Sequence, residues 1–173
     1  AIASGKLDEA ILPNERLNLA KLNLIERRYA KVISLLGSSA KASEDVLKML
    51  VQAYQGLGQH AKALPLAERY VQANPNAADT WLQFLVGGNA ELKRYETAER
   101  WQSRLLARHP DQAKSWRQLA GLQQMAGDED KALATLRAAH AKGLRFSEAE
   151  LDNLVLLAGA AGQPWQGAKL LQG

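Results

Sequence analysis

The sequence predicts an all-α chain, organised as a solenoid of about five antiparallel helix pairs, and three observations lead to that expectation. The run Gly58-x-His60-x-x-Ala63 followed by Pro75 recurs as Lys93-x-Tyr95-x-x-Ala98 followed by Pro110, and again as Gly127-x-Glu129-x-x-Ala132. The small residues therefore stand 34 to 35 positions apart, a period that marks stacked two-helix units. Trp81 and Trp116 each follow one of those prolines by six residues, so the bulky positions keep the same register. Apolar residues recur at helical spacing throughout, and no stretch alternates with period two for long enough to make a strand.

The units read as approximately 14–39, 43–76, 77–110, 111–144 and 147–173. In the first, Asn14 after Pro13 is the expected N-cap, and Leu17, Ala20, Leu22, Leu24 and Ile25 carry an apolar stripe to a turn at Arg27-Arg28. Tyr29, Val32, Ile33 and Leu36 form the partner helix, stopped by Gly37 and the pair Ser38-Ser39. Ahead of it, Gly5-x-Leu7-x-x-Ala10 has the look of a turn and an early second helix. Pro13 cuts that short, so residues 1 to 13 are expected to form a stub or cap.

In the second unit Ser43 caps a helix with Val46, Leu47, Leu50, Val51 and Tyr54 on one face, and Gly56 and Gly58 end it where positive φ is cheap. Its partner runs from His60 to Ala73. Pro65 lies within that partner and removes a backbone donor, which predicts a late start or a kink. Asn74-Pro75-Asn76 is the exit turn.

The third unit carries Trp81, Leu82, Phe84 and Leu85, then Gly87-Gly88. Two adjacent glycines cost roughly 2 kcal/mol of helix propensity, which predicts a bulge or an early helix end there. Arg94 and Tyr95 open the second helix, with Ala98, Trp101, Leu105 and Leu106 apolar. The fourth unit has Trp116, Leu119, Ala120, Leu122 and Met125, a turn at Gly127-Asp128, then Ala132, Leu133, Leu136 and Ala139, and Lys142-Gly143 as its stop. The fifth begins at Ser147 with Glu150 as a capping box, and Leu151, Leu154, Val155 and Leu157 form its inner face. The final helix exposes Ala168, Leu170 and Leu171, an apolar edge suited to self-association or to continuation. The chain is therefore expected to be a segment of a longer array.

No cysteine is present, which excludes disulfides, thiolate metal sites and a cysteine nucleophile. Apolar runs stay far below the length of a membrane span. The net charge of +4 would suit an acidic partner, although 22 basic residues against 18 acidic ones is a mild excess. His60 takes a turn position, His109 precedes Pro110, and His140 sits in a last helical turn that favours a cation. No metal-ligand spacing or phosphate loop accompanies them, so neither catalysis nor a cofactor is expected. Arg100, Arg104 and Arg108 recur every four residues as a ridge with Glu96 and Glu99 at its upstream end, and Glu96 to Arg100 is an ordinary i,i+4 pair. Nucleic-acid binding along that ridge is an alternative reading, unsupported by any interleaved aromatic platform. A regulatory domain of a larger enzyme is a third reading.

Leu47, Tyr54, Gly58, Ala63 and Pro75, then Trp81, Tyr95, Ala98 and Pro110, then Trp116, Ala120, Gly127, Ala132 and Ala139 resemble the consensus of the tetratricopeptide repeat family. The resemblance covers roughly residues 44 to 144. It implies a right-handed superhelix, in which the small residues let paired helices approach closely while the bulky ones fill the gap to the next pair. The stretch from Trp116 to Leu171, with Lys142-Gly143-Leu144 and Gln163-Pro164-Trp165, is also similar to bacterial repeat proteins associated with TonB-type energy-coupled outer-membrane transport. That similarity implies a periplasmic location, with the cytoplasm as the alternative.

In this family certain first-helix positions face a concave groove. By that register Lys48 and Gln52, then Leu82, Gln83 and Val86, then Lys114, Arg117 and Gln118 are the expected peptide-binding set. Similar repeats that grip the acidic tails of heat-shock chaperones use Lys, Asn, Asn, Lys and Arg there. Lys48 and Lys114 match, Gln52 and Gln83 stand in place of asparagines, and Gln118 stands in place of the arginine. Two lysines, Arg117 and three amides could hold an extended peptide, the amides pairing with its backbone and the cations with a carboxylate. Trp81, Trp116 and Tyr54 are expected to pack between helices. The functional expectation is a non-catalytic scaffold for a protein or peptide partner.

Overall fold

A computed structural model describes residues 13–37, 43–145, 147, 152, 155–159, 162 and 164. It contains the helices α1 (Pro13–Ile25), α2 (Tyr29–Leu36), α3 (Glu44–Gly56), α4 (His60–Ala73), α5 (Asp79–Glu91), α6 (Tyr95–Arg108), α7 (Ala113–Met125) and α8 (Glu129–Ala141). Residues 155–159 are helical as well, and no strand occurs among the described residues. The chain divides into two compact units, Ala1–Ala77 and Ala78–Gly173.

In the first unit α1 pairs with α2 and α3 with α4, and α2 and α1 also lie against α3. Their shared core consists of Ala20, Val32, Leu35, Leu36, Val46, Met49, Leu50 and Ala53, flanked by Leu17, Leu24, Tyr29, Ile33 and Leu66. Small residues at Ala20 and Ala53 let the backbones close up, and branched side chains fill the space that remains. Ser43 caps α3, its hydroxyl accepting from Val46 N at 3.4 Å, with Glu44 and Asp45 in the first turn.

In the second unit α5 pairs with α6 and α7 with α8, and α6 packs on α7. Ala120, Ala132, Leu133, Leu136, Leu157 and Ala158 make one core cluster. Asp128 caps α8, accepting from Lys131 N at 3.2 Å and pairing with Lys131 Nζ at 2.6 Å. The ammonium of Lys131 holds the Asp128 carboxyl below its ordinary range.

Each first helix ends in the same turn. Arg28 N donates to Asn23 O, Gln59 N to Tyr54 O, Arg94 N to Asn89 O and Asp128 N to Gln123 O, at 2.8 to 2.9 Å. The residue before each donor has positive φ: Arg27 at 58°, Gly58 at 68°, Lys93 at 57° and Gly127 at 83°. Paired with the three-residue-span bonds from those positive-φ residues back to Leu24, Gln55, Ala90 and Gln124, this is the two-bond C-terminal cap that satisfies a helix's last carbonyls. Asn23 and Asn89 stand at equivalent buried places in this register and close onto the preceding turn, Nδ2 donating to Leu19 O at 2.7 Å and to Leu85 O at 2.8 Å.

Several sequence expectations are corrected. Asn14 lies inside α1, which is already helical at Pro13. Leu22 and Ile25 are exposed, at 59% and 78%, so the buried stripe of α1 is Leu17, Ala20 and Leu24. Pro65 delays nothing, because α4 begins at His60 and carries the proline within it. At Gly87-Gly88 no helix end occurs: α5 continues to Glu91, Gly88 is buried and Asn89 closes its turn. Burial of Leu82, Leu85, Gly88 and Asn89 along this helix outweighs the propensity cost. Met125 is 62% exposed. The stub at residues 1 to 12, the stop at Ser38-Ser39, the Glu150 capping box, and the apolar edge proposed for self-association lie outside the described residues.

Candidate functional site

The expected binding residues fall in both units. Lys48 and Gln52 are on α3, Gln83 on α5, and Lys114, Arg117 and Gln118 on α7.

Lys48 is engaged within its own unit. Its Nζ pairs with Glu44 Oε1 at 2.7 Å and sits 5.1 Å from the centre of the Tyr70 ring, while Tyr70 Oη donates to the same Glu44 oxygen at 3.2 Å. The Glu44 carboxylate raises the Lys48 pKa, and Lys48 in turn lowers that of Glu44. The Glu44-to-Lys48 spacing is a standard i,i+4 pair that sequence alone carries. Gln52 is exposed further along α3.

In the second unit Gln83, Lys114 and Gln118 line one open cavity of about 440 Å³ together with Asp79, Leu105, His109, Gln112 and Ser115. Three elements build it: the start of α5, the end of α6 with its exit turn, and the first turns of α7. Gln102, buried to 1% exposure on α6, fixes the α6–α7 contact. Its Nε2 donates to Ser115 O at 3.0 Å and reaches Gln118 Oε1 at 3.5 Å. Lys114 is exposed, and among the described residues no carboxylate pairs with it. Arg117 is half-buried on α7 and is not among the lining residues. Leu82 is fully buried and faces no groove.

Sequence reasoning missed the group that closes one side of this cavity. Asp79, the first residue of α5, takes Arg108 Nη1 at 2.7 Å and lies 2.5 Å from His109 Nε2. Arg108 first, and His109 after it, hold the Asp79 carboxyl below its ordinary range. Glu44 occupies the equivalent first-turn position of α3, and there too the second helix of the pair supplies the partner, Tyr70. No local pattern announces such contacts, because the partners are 26 to 30 residues apart.

The three arginines of the ridge differ in their contacts. Arg100 Nη2 donates to Thr97 Oγ1 at 3.2 Å, Arg104 lies over the Trp101 ring at 5.2 Å, and Arg108 is bonded to Asp79. The Glu96–Arg100 pair is not among the ion pairs of the described residues. Trp116 is half-buried and its Nε1 donates to Pro110 O at 2.9 Å, latching the exit turn. Tyr54 lies under Lys62 at 6.0 Å. No cluster of metal-ligating side chains exists among the described residues, and none of their helices is long and apolar enough to cross a membrane.

Residues 44–87 match the profile of the tetratricopeptide repeat. The fold is of the tetratricopeptide-repeat type. Solved structures agree: MamA AMB-1 superposes with a TM-score of 0.56 at 17% identity over 91% of this chain and 93% of that one. MamA MSR-1 gives 0.55 at 18% identity over 92% and 90%. The MamA 41-end structure from Desulfovibrio magneticus RS-1 gives 0.54 at 14% over 94% of each. At these identities the likeness is one of fold. No curated protein sequence is significantly similar to this chain.

Proposed function

We propose that this tetratricopeptide-repeat chain is a non-catalytic scaffold that binds an extended peptide segment of a protein partner at the α5–α6–α7 cavity. The observation that carries the proposal is the convergence of Gln83, Lys114 and Gln118 on one open cavity. An extended peptide leaves its backbone groups unpaired, and carboxamides supply both donor and acceptor for them. Lys114 adds a cation for an acidic side chain or a terminal carboxylate, while Asp79 is already paired with the Arg108 guanidinium.

Lys48, with Gln52 beside it on α3, offers a second recognition surface. Because Glu44 already holds Lys48, that surface contributes less than Lys114. A periplasmic envelope assembly is proposed as the setting, on the resemblance of residues 116–171 alone. Release of the native protein by osmotic shock supports it, and retention with the cytoplasmic fraction removes it.

The test is binding to an array of fluorescent peptides that carry acidic residues and a free C-terminal carboxylate. Lys114→Ala is expected to weaken the best binders about tenfold or more, which corresponds to about 1.4 kcal/mol, and Lys48→Ala less. Both variants keep their helicity. Equal affinity of the parent and Lys114→Ala removes the cavity as the site.

A further inference from the structure

The first helices α1, α3 and α5 carry an acid in their first turn, Glu15, then Glu44 with Asp45, then Asp79, where a carboxylate meets the unpaired amides of the helix end. Helix α7 has none, and its N-cap residue Gln112 makes no side-chain cap bond. The amides of Ala113 and Lys114 have no acceptor among the described residues. That helix end opens on the cavity, which Gln112, Lys114 and Ser115 line together.

Ser115 sets this end apart from an ordinary helix terminus. It is 8% exposed and stands twelve residues before Gly127, as Val46 stands twelve before Gly58. Val46 packs in one core with Leu36 of α2, and Leu36 follows Arg27 by nine residues as Gln102 follows Lys93. The α6–α7 seam thus holds a hydroxyl and a carboxamide where the α2–α3 seam is apolar. Gln102 directs its amide to Ser115 O and Gln118 Oε1. The Ser115 hydroxyl has no hydrogen-bond partner among the described residues. Every sealed side-chain nitrogen and oxygen there does have one, so this hydroxyl opens onto the cavity that Ser115 lines. A nearly buried hydroxyl with no acceptor from the protein is costly, and an acceptor on a ligand removes that cost.

We infer that the α7 end of the cavity seats a phosphoryl group on a side chain of the bound segment, an inference that rests on the cavity being a peptide site. The donors are Ala113 N, Lys114 N, Ser115 Oγ and the Lys114 ammonium, which pairs with no carboxylate among the described residues. All four belong to one helical turn. A carboxylate has two oxygens to offer them, whereas a phosphorylated side chain has three and carries nearly twice the charge. Asp79 is the acid of the cavity wall, and the Arg108 guanidinium already holds it at 2.7 Å. His109 turns its Nε2 to the same carboxylate. Gln83 and Gln118 remain along the wall for the backbone of the segment.

The test is a series of peptides with amidated C-termini, identical except for serine, glutamate or phosphoserine at one central position, titrated by fluorescence polarisation with inorganic phosphate as competitor. Phosphoserine is expected to bind about tenfold or more tightly than glutamate at neutral pH. Ala113→Glu places an acid where Glu44 and Asp79 stand in α3 and α5. It should abolish the phosphoserine preference while the melting temperature stays the same or rises, because an acid in the first turn is favourable. Ser115→Ala, nearly the same size, should shrink the preference about threefold or more through loss of one hydrogen bond. Equal affinity for glutamate and phosphoserine overturns the inference, and so does a preference that both substitutions leave intact. Binding that depends on Lys114 but shows no preference removes the phosphoryl seat and leaves the peptide reading standing. If no peptide binds, yet inorganic phosphate raises the melting temperature of the parent and not of Ala113→Glu, the seat stands and the peptide reading falls.

Discussion

Gly56 lies so close to the Tyr29 ring that a methyl group on its Cα would come within 2.3 Å of Tyr29 Cε2. The contact joins α3 to α2, and Tyr29 is itself packed on the core of the first unit. In an unhindered helix Gly→Ala stabilises by roughly 1 kcal/mol. Here the ring blocks the methyl, and Gly56→Ala is expected to destabilise by about 1–3 kcal/mol, the range for overpacking. In a Tyr29→Ala background the same change should become neutral or stabilising. Urea unfolding of the four proteins in this cycle measures the coupling, and a stabilised Gly56→Ala single variant would count against the contact.

The turn that ends each first helix is met twice by glycine and twice by a long cationic residue. Lys93 at φ 57° carries the steric cost that L-residues bear in the left-handed region, about 1–2 kcal/mol. Glycine removes it but gives the unfolded chain more freedom, so Lys93→Gly is expected to gain only about 0.5 kcal/mol. Gly127→Ala should lose about 1 kcal/mol. That loss is purely a backbone effect, since a Cβ at Gly127 would touch nothing within 4 Å. A shift of the urea midpoint at constant slope is the readout.

Asp79 makes stability depend on acid. Its carboxyl is held low chiefly by Arg108 and next by His109, so folding favours the ionised form. The contribution is complete above the unfolded carboxylate pKa, near 4, and is lost as pH falls through the lower folded value. Asp79→Asn keeps the shape and removes the charge. It should cost about 0.5–1 kcal/mol at neutral pH, the scale of a partly exposed pair, and should flatten the fall in melting temperature below about pH 5. Parallel curves for parent and variant would show that Asp79 plays no part in the acid response.

The places where sequence and structure agree are local. Each helix pair is announced by its own stripe and turn, down to α4 at His60–Ala73 and the Ser43 cap. Disagreement arises where a neighbouring element decides the outcome. Gly87-Gly88 reads as a break, yet burial at Gly88 keeps α5 helical, and Leu22 reads as core although no described neighbour covers it. The cavity was half legible: the positions that the family resemblance implies for binding include Gln83, Lys114 and Gln118, which line it, but the Asp79–Arg108–His109 group depends on which helices pair, a relation no short spacing encodes. Lys48 is the reverse case, since its partner Glu44 stood one turn away in plain sequence.

Gln102 connects stability to recognition, and its two roles can be separated. It is nearly inaccessible, and its amide ties α6 to the first turn of α7 at Ser115 while reaching toward Gln118. Gln102→Leu keeps most of the volume and removes the donor, so the expected cost is about 1 kcal/mol, that of one hydrogen bond. Gln102→Ala adds a cavity and should cost about 2–4 kcal/mol. If Gln102 also orients the Gln118 carboxamide for an incoming backbone, Gln102→Leu weakens peptide binding as much as Gln118→Ala does. Combining the two then adds nothing further, because both remove the same positioned amide. Peptide titrations at a temperature where every variant is folded decide the matter. Independent, additive losses would make Gln102 a packing residue with no part in recognition.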